Sequence, residues 1–308
     1  MITVLAGGVG AARLLRGLVR VVDPVEVFVV ANTGDDLVLH GLHVSPDLDT
    51  ITYTLAGAGN PETGWGLAGE TWQAMASLDH YGGPTWFRLG DLDLGTHLFR
   101  TGRLADGAGL AEVTAEVAEV WGLSFRLLPA TEDRLRTMVT LGDGDEVGFQ
   151  EYFVGLRHDV PVSGIRFDGA DDALPGPGVL EAITTAAAVV IAPSNPLVSI
   201  APILAVPGVR DAVAARRESA VAVSPIVGGS ALKGPADRML AEMGHESSVV
   251  GVARLYRDLV ATLAIDRVDA DLADEVEAEG VRCVVTDTVM RTTEVAAALA
   301  ETTLGAVA

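Results

Sequence analysis

An α/β fold, a Rossmann-like three-layer sandwich around a mostly parallel sheet, is what the sequence predicts, on three observations. Short apolar runs recur at 2–6, 189–192, 220–223, 262–265 and 282–286; turn-forming residues follow most of them; and helical patterns alternate with them in the second half of the chain. An inserted helical lobe and a β-hairpin interrupt that alternation.

Taken in order, residues 2–6 read as a buried strand, Gly7-Gly8-Val9-Gly10 as a tight turn and 11–21 as the helix that starts there. Glycine lets backbone N–H groups approach an anion closely, and the positive end of the helix dipole then faces that anion. Gly7, Gly8, Gly10 and the neighbouring Arg13 therefore form a candidate phosphate cradle. The turn is not a dinucleotide fingerprint, because Arg13 stands where Gly or Ala permits close packing, and it is not a Walker loop. A tight turn with no ligand is the alternative, and Arg13 pairs with a phosphate or caps a surface carboxylate.

A second strand ends at Asn32-Thr33-Gly34-Asp35-Asp36, and a third loop, Ser45-Pro46-Asp47-Leu48-Asp49-Thr50, follows. Four carboxylates opposite phosphates repel them unless a divalent cation lies between, so Asp35, Asp36, Asp47 and Asp49 read as hard oxygen ligands for Mg²⁺ or Mn²⁺. Turn formation and helix capping are the other roles open to Asp36 and Asp47. His40 and His43 lie nearby without pointing to zinc.

Helical patterns at 71–77, 94–103 and 110–120, with no strand between them, predict the inserted lobe. Residues 136–141 and 146–154 around Gly142-Asp143-Gly144-Asp145 predict a hairpin appended to the main sheet. Residues 1–60 and 179–308 then form the nucleotide- and phosphate-binding core, and 61–178 form the lobe with its hairpin, part of the substrate cleft. In the lobe, Gly90-Asp91-Leu92-Asp93, with Arg88 before it and His97 after it, holds a polar substrate or caps the helix at 94–103. Trp65 stacks on a flat heterocycle or fills a core or lid position, and the same choice applies to Glu70 and Trp72.

From residue 179 strand and helix alternate again, through Pro193-Ser194-Asn195-Pro196 and the long loop 224–235. In a parallel sheet every strand-to-helix loop emerges at the carboxyl ends of the strands. The glycine turn, Asn32 to Asp36, Ser194, Asn195, Ser224, Gly228 and Lys233 therefore line one cleft although they are far apart in the chain. Lys233 is the one lysine beside 20 arginines.

Composition limits the function classes. The chain has 308 residues and a formal charge of −21, which disfavours nucleic acid and anionic membranes as partners. An anionic small substrate needs local positive charge. Apolar runs such as 186–192 fall short of the roughly 18 residues a membrane span needs. The first strand is expected to begin at once, and no secretory signal is expected ahead of it. The single Cys283 leaves no intrachain disulfide, in keeping with a cytoplasmic location. The tail at 305–308 is expected to fray.

Together, Gly-Gly-Val-Gly-Ala-Ala-Arg (7–13), Asn-Thr-Gly-Asp-Asp (32–36), Ser-Pro-Asp-Leu-Asp-Thr (45–50), Leu-Gly-Asp-Leu-Asp-Leu (89–94), Ala-Pro-Ser-Asn-Pro (192–196) and Ser-Pro-Ile (224–226) resemble the 2-phospho-L-lactate transferase family of deazaflavin coenzyme F-420 biosynthesis. The resemblance implies transfer of a phospholactyl or phosphoenolpyruvyl group from a guanosine diphosphate donor to the terminal ribityl hydroxyl of the deazariboflavin Fo, releasing GMP. It implies that Asp35 and Asp49 hold the metal and act in catalysis. It places Asp49 and Arg88 at Fo, where Trp65 and Asp91 join them as candidates, and Ser194, Asn195 and the Ser224 loop at the phosphates and guanosine. Leu92 departs from the basic residue expected there. The Ala-, Val- and Arg-rich composition resembles actinobacterial members, for which the enolpyruvyl donor is expected, and the family implies a homodimer. Two other readings are a nucleotide-sugar-binding regulatory protein of related fold and a nicotinamide-dependent oxidoreductase. Arg13 and the carboxylate cluster speak against the second.

Overall fold

The computed structural model describes residues 1–307. Strand β1 (Ile2–Ala6) is buried at every position, and its one polar side chain is satisfied: Thr3 Oγ1 donates to the Ala182 carbonyl at 2.6 Å. It runs through Gly7 into α1 (Gly8–Val21), and β2 (Val27–Ala31) then pairs parallel to β1. A short hairpin, β3 (Leu37–Leu39) with β4 (Leu42–Val44), precedes α2 (Pro46–Leu55). The stretch expected to be a loop at 45–50 is thus the first turn of a helix, with Pro46 at its start and Asp47 and Asp49 at its positive end.

Helices α3 (Gln73–His80), α4 (Asp93–Ala105) and α5 (Leu110–Val120) form the lobe. They lead into β5 (Arg126–Pro129), which the sequence did not reveal and which pairs parallel to β2 at the edge of the central sheet. Four residues ending in proline give little period to read, and an edge is where proline is tolerated. The segment 61–178 therefore contributes one strand to the core. The hairpin β6 (Arg136–Leu141) and β7 (Glu146–Gly148) is present but belongs to a separate antiparallel sheet. Its third strand is β8 (Val162–Asp168), not anticipated, and the expected extension to 154 is instead a π-helical turn, Glu151–Gly155.

The chain returns through α6 (Val179–Thr184) to β9 (Ala188–Ile191) beside β1. It continues through α7 (Ala201–Ala205) and α8 (Val209–Ala215) to β10 (Ala220–Val223), then the two-residue strands β11 (Ile226–Val227) and β12 (Ser230–Ala231) and α9 (Ala236–Glu242). The last elements are α10 (Val249–Tyr256), β13 (Thr262–Asp266), α11 (Ala273–Ala278), β14 (Arg282–Thr286) and α12 (Thr293–Gly305). The central sheet is parallel, in the order β14-β13-β10-β9-β1-β2-β5. Successive side chains leave a strand on opposite faces. Val4, Val29, Val190 and Val221 accordingly pack with α1, α2 and α12, and Leu5, Val30, Val189 and Ala222 pack with α6 to α8 and α10. This is the three-layer sandwich predicted. Val307 packs against the α1 side of the core instead of fraying, and Ala308 lies outside the described residues. No single helix among the described residues is long and apolar enough to cross a membrane.

Strand order reverses between β1 and β9, the position where α/β sheets open a crevice at their carboxyl ends. Gly7 and Ser194 are at that position.

Candidate active site

The glycine turn is built by close approach. A Cβ on Gly7 would lie 2.7 Å from Ser199 Cβ and 2.8 Å from Asp47 Oδ2, one on Gly10 would lie 2.3 Å from the Pro193 carbonyl oxygen, and Gly8 has φ +69°. Ser194 locks the turn to β9: its Oγ accepts from Gly7 N at 3.2 Å and donates to Gly7 O at 2.7 Å. Asp47 accepts from Asn32 Nδ2 at 3.0 Å and its carboxylate lies against the Gly7–Gly8 backbone, so a carboxylate of the chain itself fills part of the anion-binding position. Asn32, fully buried, also accepts from Gly34 N at 2.8 Å and shapes the loop that carries Asp35.

Lys233 reaches the same region from the loop after β12. Its Nζ donates to the Thr63 carbonyl, and a Cβ on Gly64 would meet Nζ at 2.9 Å and Val9 Cγ1 at 3.2 Å. Burial, reinforced by the charge of Arg13, pushes the lysine below its ordinary pKa. The loop bearing Trp65 thus closes over the glycine turn with Arg13 and Lys233 beside it, while the Trp65 ring stays half exposed. Other expected phosphate contacts turn out to be occupied by local structure. Asn195 Oδ1 caps its own turn by accepting from Leu197 N at 2.9 Å, Ser224 bonds Ile226 N and O, and Gly228 N donates to Asp269.

The four early aspartates divide into two environments. Asp35 is buried; burial and then the charge of Asp47 push its carboxyl well above the usual range, against the hydrogen bond from Asn32. Burial does the same to Asp36, whose Oδ2 accepts from Ser45 Oγ at 2.7 Å. Burial raises Asp47 to about 6. Asp49, two residues further along α2 and so on another side of the helix, is also buried but is instead held by both terminal nitrogens of Arg100, with Nη1 at 3.1 Å. His97 Nδ1 lies 3.7 Å from Asp49 and its Nε2 3.3 Å from Asp93, which accepts from Tyr53 OH at 2.6 Å. Asp49, Asp93 and His97 bring ligand atoms within 4.8 Å of one another, but the guanidinium already on Asp49 makes that triad a poor cation site. The donors with free capacity are elsewhere: Asp35 Oδ1 and Asp36 Oδ1 are buried without a hydrogen-bond partner. Two enclosed hard oxygens with raised proton affinity fit a divalent cation, which would favour their ionised forms.

In the lobe, Asp91 caps α3, not the helix at 94–103: it accepts from Thr71 Oγ1, Gln73 N at 2.9 Å and Ala74 N at 3.0 Å. Glu70 returns the exchange by capping α4 through Leu92 N and Asp93 N, both at 2.8 Å. Arg88 lies over the Trp72 ring, 4.3 Å from its centroid.

A cleft of ≈ 490 Å³ opens from Asp35 and Asp36 between β3, the connection from β5 to β6, and the end of β7. Its walls include Trp86, Leu135, Phe149, Arg134 and Arg136. Sequence reasoning missed this part of the site. The only signal was the pair of arginines at the start of a hairpin strand, and nothing in the sequence says which loop that strand faces.

The profile of the family described as 2-phospho-L-lactate transferase CofD matches residues 2–303. The chain belongs to that family. It is 46% identical to a phosphoenolpyruvate transferase of Streptomyces griseus over 98% of this chain and 97% of the relative. It is 47% identical to one of Streptomyces coelicolor (92% and 90%) and 40% identical to one of Mycolicibacterium smegmatis (97% and 96%). A crystal structure of a UPF0052-family protein from Bacillus halodurans superposes with a TM-score of 0.63 over 98% of each chain at 20% identity, a likeness of fold. The CofD-family chain is a transferase of coenzyme F-420 biosynthesis acting on small molecules, and the regulatory binding reading is not favoured.

The raised carboxyls of this transferase give a pH-dependent expectation. A group whose folded pKa exceeds its unfolded value stabilises the fold below the unfolded pKa, and that stability is lost as pH rises through the folded pKa. A carboxyl moved from the ordinary 3.8 to about 6, as for Asp47, costs on the order of 3 kcal/mol once ionised. The metal-free protein should therefore lose stability between about pH 4 and pH 6, with Asp35 and Asp36 extending the loss upward. Melting curves with and without Mg²⁺ check it: the Mg²⁺-induced rise in Tm is expected to be near zero at pH 5 and several degrees at pH 7.5. A rise independent of pH would disprove ionisation of this cluster as its source.

Proposed function

We propose that the transferase moves a phosphoenolpyruvyl group from enolpyruvyl-diphosphoguanosine to the terminal ribityl hydroxyl of Fo and releases GMP, as a cytoplasmic, Mg²⁺-dependent homodimer. The observation that carries the choice of donor is the shared name of relatives at 40–47% identity over most of their length. Lactyl-diphosphoguanosine is the second donor to test, because the family's own description is of phospholactate.

In this reaction the ribityl oxygen attacks the phosphorus bearing the enolpyruvyl group, the bond from that phosphorus to the GMP oxygen breaks, and GMP leaves with the electron pair. Such a displacement depends on alignment and charge neutralisation. The N–H groups of the glycine turn, with Arg13 and Lys233 beside them, would bind the departing GMP phosphate, Asp47 yielding its position on Gly8 to the substrate. The ribityl proton passes to a carboxylate of the cluster, and Asp47, at about 6, lies in the range a general base needs. A divalent cation on Asp35 and Asp36 supplies charge neutralisation of the diphosphate when bound. Asp49 joins that set only by releasing Arg100, and otherwise holds α2 to the lobe near Fo. Trp65 and Arg88 offer a ring face and a cation to Fo on the lobe side.

A mass-spectrometric assay with Fo, Mg²⁺ and each donor in parallel tests this. The enolpyruvyl donor is expected to give GMP and a new phosphodiester. Product from the lactyl donor alone would reverse the donor, and product from neither would refute the reaction.

A further inference from the structure

The cleft beyond Asp35 and Asp36 contains more unsatisfied polar chemistry than its surroundings. Thr33 Oγ1, Asp35 Oδ1, Asp36 Oδ1, His43 Nδ1 and Thr137 Oγ1 are buried without partners, and all five residues line it. Thr33, Asp35 and Thr137 are each less than a tenth exposed. Buried polar groups are ordinarily paired, so with the two carboxylate oxygens left to the cation, the Thr33 and Thr137 hydroxyls and His43 Nδ1 point to a ligand that supplies the missing bonds.

The cations of the cleft differ in what they are free to do. Arg134 is exposed and bound to Asp168 at 2.9 Å. His43 is held below its ordinary pKa, by burial first and then by Arg100, and so is neutral near pH 7. Arg136 forms no ion pair or side-chain hydrogen bond among the described residues. Its guanidinium crosses the bare backbone of β7, where a Cβ on Gly148 would stand 2.9 Å from Nη2. Of the nearby acids, Glu132 accepts from Ala111 N and Asp133 from Leu174 N, both acting on local backbone, while Glu151 is exposed at the rim.

We propose that Arg136 recognises the carboxylate of the acyl group carried by the donor, so that the cleft beside Asp35 and Asp36 is the acyl subsite. The inference rests on the proposed reaction, in which the donor carries a carboxylate that GDP lacks. In a chain of net charge −21, with Asp35 and Asp36 at the cleft floor, that carboxylate needs a cation with no other partner. A guanidinium presents the planar, paired donors that bind carboxylates with two hydrogen bonds, and the apolar walls at Leu135, Trp86 and Phe149 suit the small acyl carbon skeleton.

The test is calorimetric titration of full-length wild type, Arg136→Gln and Arg136→Lys with two probes, lactyl-diphosphoguanosine and GDP, in the presence of Mg²⁺. KM for donor and for Fo is measured in parallel, and melting curves verify folding. In Arg136→Gln the lactyl probe should weaken by roughly 10- to 100-fold, the effect of losing a charged hydrogen-bond partner. GDP affinity and the KM for Fo should stay within about two-fold, and Arg136→Lys should recover part of the loss. Equal weakening of both probes, no weakening of either, or wild type binding the lactyl probe no better than GDP overturns the assignment. Turnover of wild type with Fo reports separately on the reaction: a wild type that forms product while Arg136→Gln still binds the lactyl probe normally sinks the subsite and leaves the reaction standing.

Discussion

Asp35→Asn is expected to reduce turnover by on the order of 10³-fold while the metal-free protein melts no lower than wild type. The two effects have one cause. Burial and the neighbouring charge of Asp47 oppose ionisation of Asp35, so at neutral pH its carboxylate is a cost to the folded state that an amide of the same shape removes. Asn32, which shapes this loop by accepting from Gly34 N and donating to Asp47, keeps both bonds beside an amide at 35. What the amide cannot supply is a hard anionic oxygen at the unpartnered Oδ1 position. The variant should therefore also lose much of the Mg²⁺-induced rise in Tm at pH 7.5. Turnover near wild type, or a full Mg²⁺ response, would remove Asp35 from the cation-binding group.

The parallel sheet was legible because its strands are apolar and most end in turn residues, a pattern that β1, β9, β10 and β13 share. The crevice at the β1–β9 reversal follows from that topology, and with it the closeness of Gly7 to Ser194. Local periodicity fails where a strand is short or partnered from afar. β5 has four residues, and β8 joins β6 only in the folded sheet. The same limit applies to side chains. Acidic residues near a helix start announce capping, yet which helix Asp91 and Glu70 serve is decided by how the two halves of the lobe cross. Residue type could nominate the four aspartates Asp35, Asp36, Asp47 and Asp49, and the family resemblance singles out Asp35 and Asp49. Residue type could not show that Arg100, far along the chain and one turn from His97, takes both oxygens of Asp49.

That buried pair makes the second large effect. Arg100 is almost completely enclosed; burial opposes its charge, and Asp49 restores it. Breaking such a pair from one side leaves an uncompensated charge in a poorly solvated place, at a cost of about 3–5 kcal/mol. Asp49→Asn and Arg100→Gln are each expected to lose that much stability in urea unfolding. The double variant should recover at least half of it, since two neutral amides can hydrogen-bond without a buried charge. The loss in Asp49→Asn bears on function, because a fall in its turnover mixes unfolding with any direct role. The double variant separates the two: folded and nearly as stable as wild type, it is expected to keep a raised KM for Fo, since it lacks the carboxylate of α2 at the position that the family resemblance assigns to the deazaflavin. Wild-type KM in a stable double variant would reduce Asp49 to the tie that holds α2 against α4. A double variant no more stable than either single one would instead mean that the Asp93–His97–Tyr53 network depends on the charges themselves.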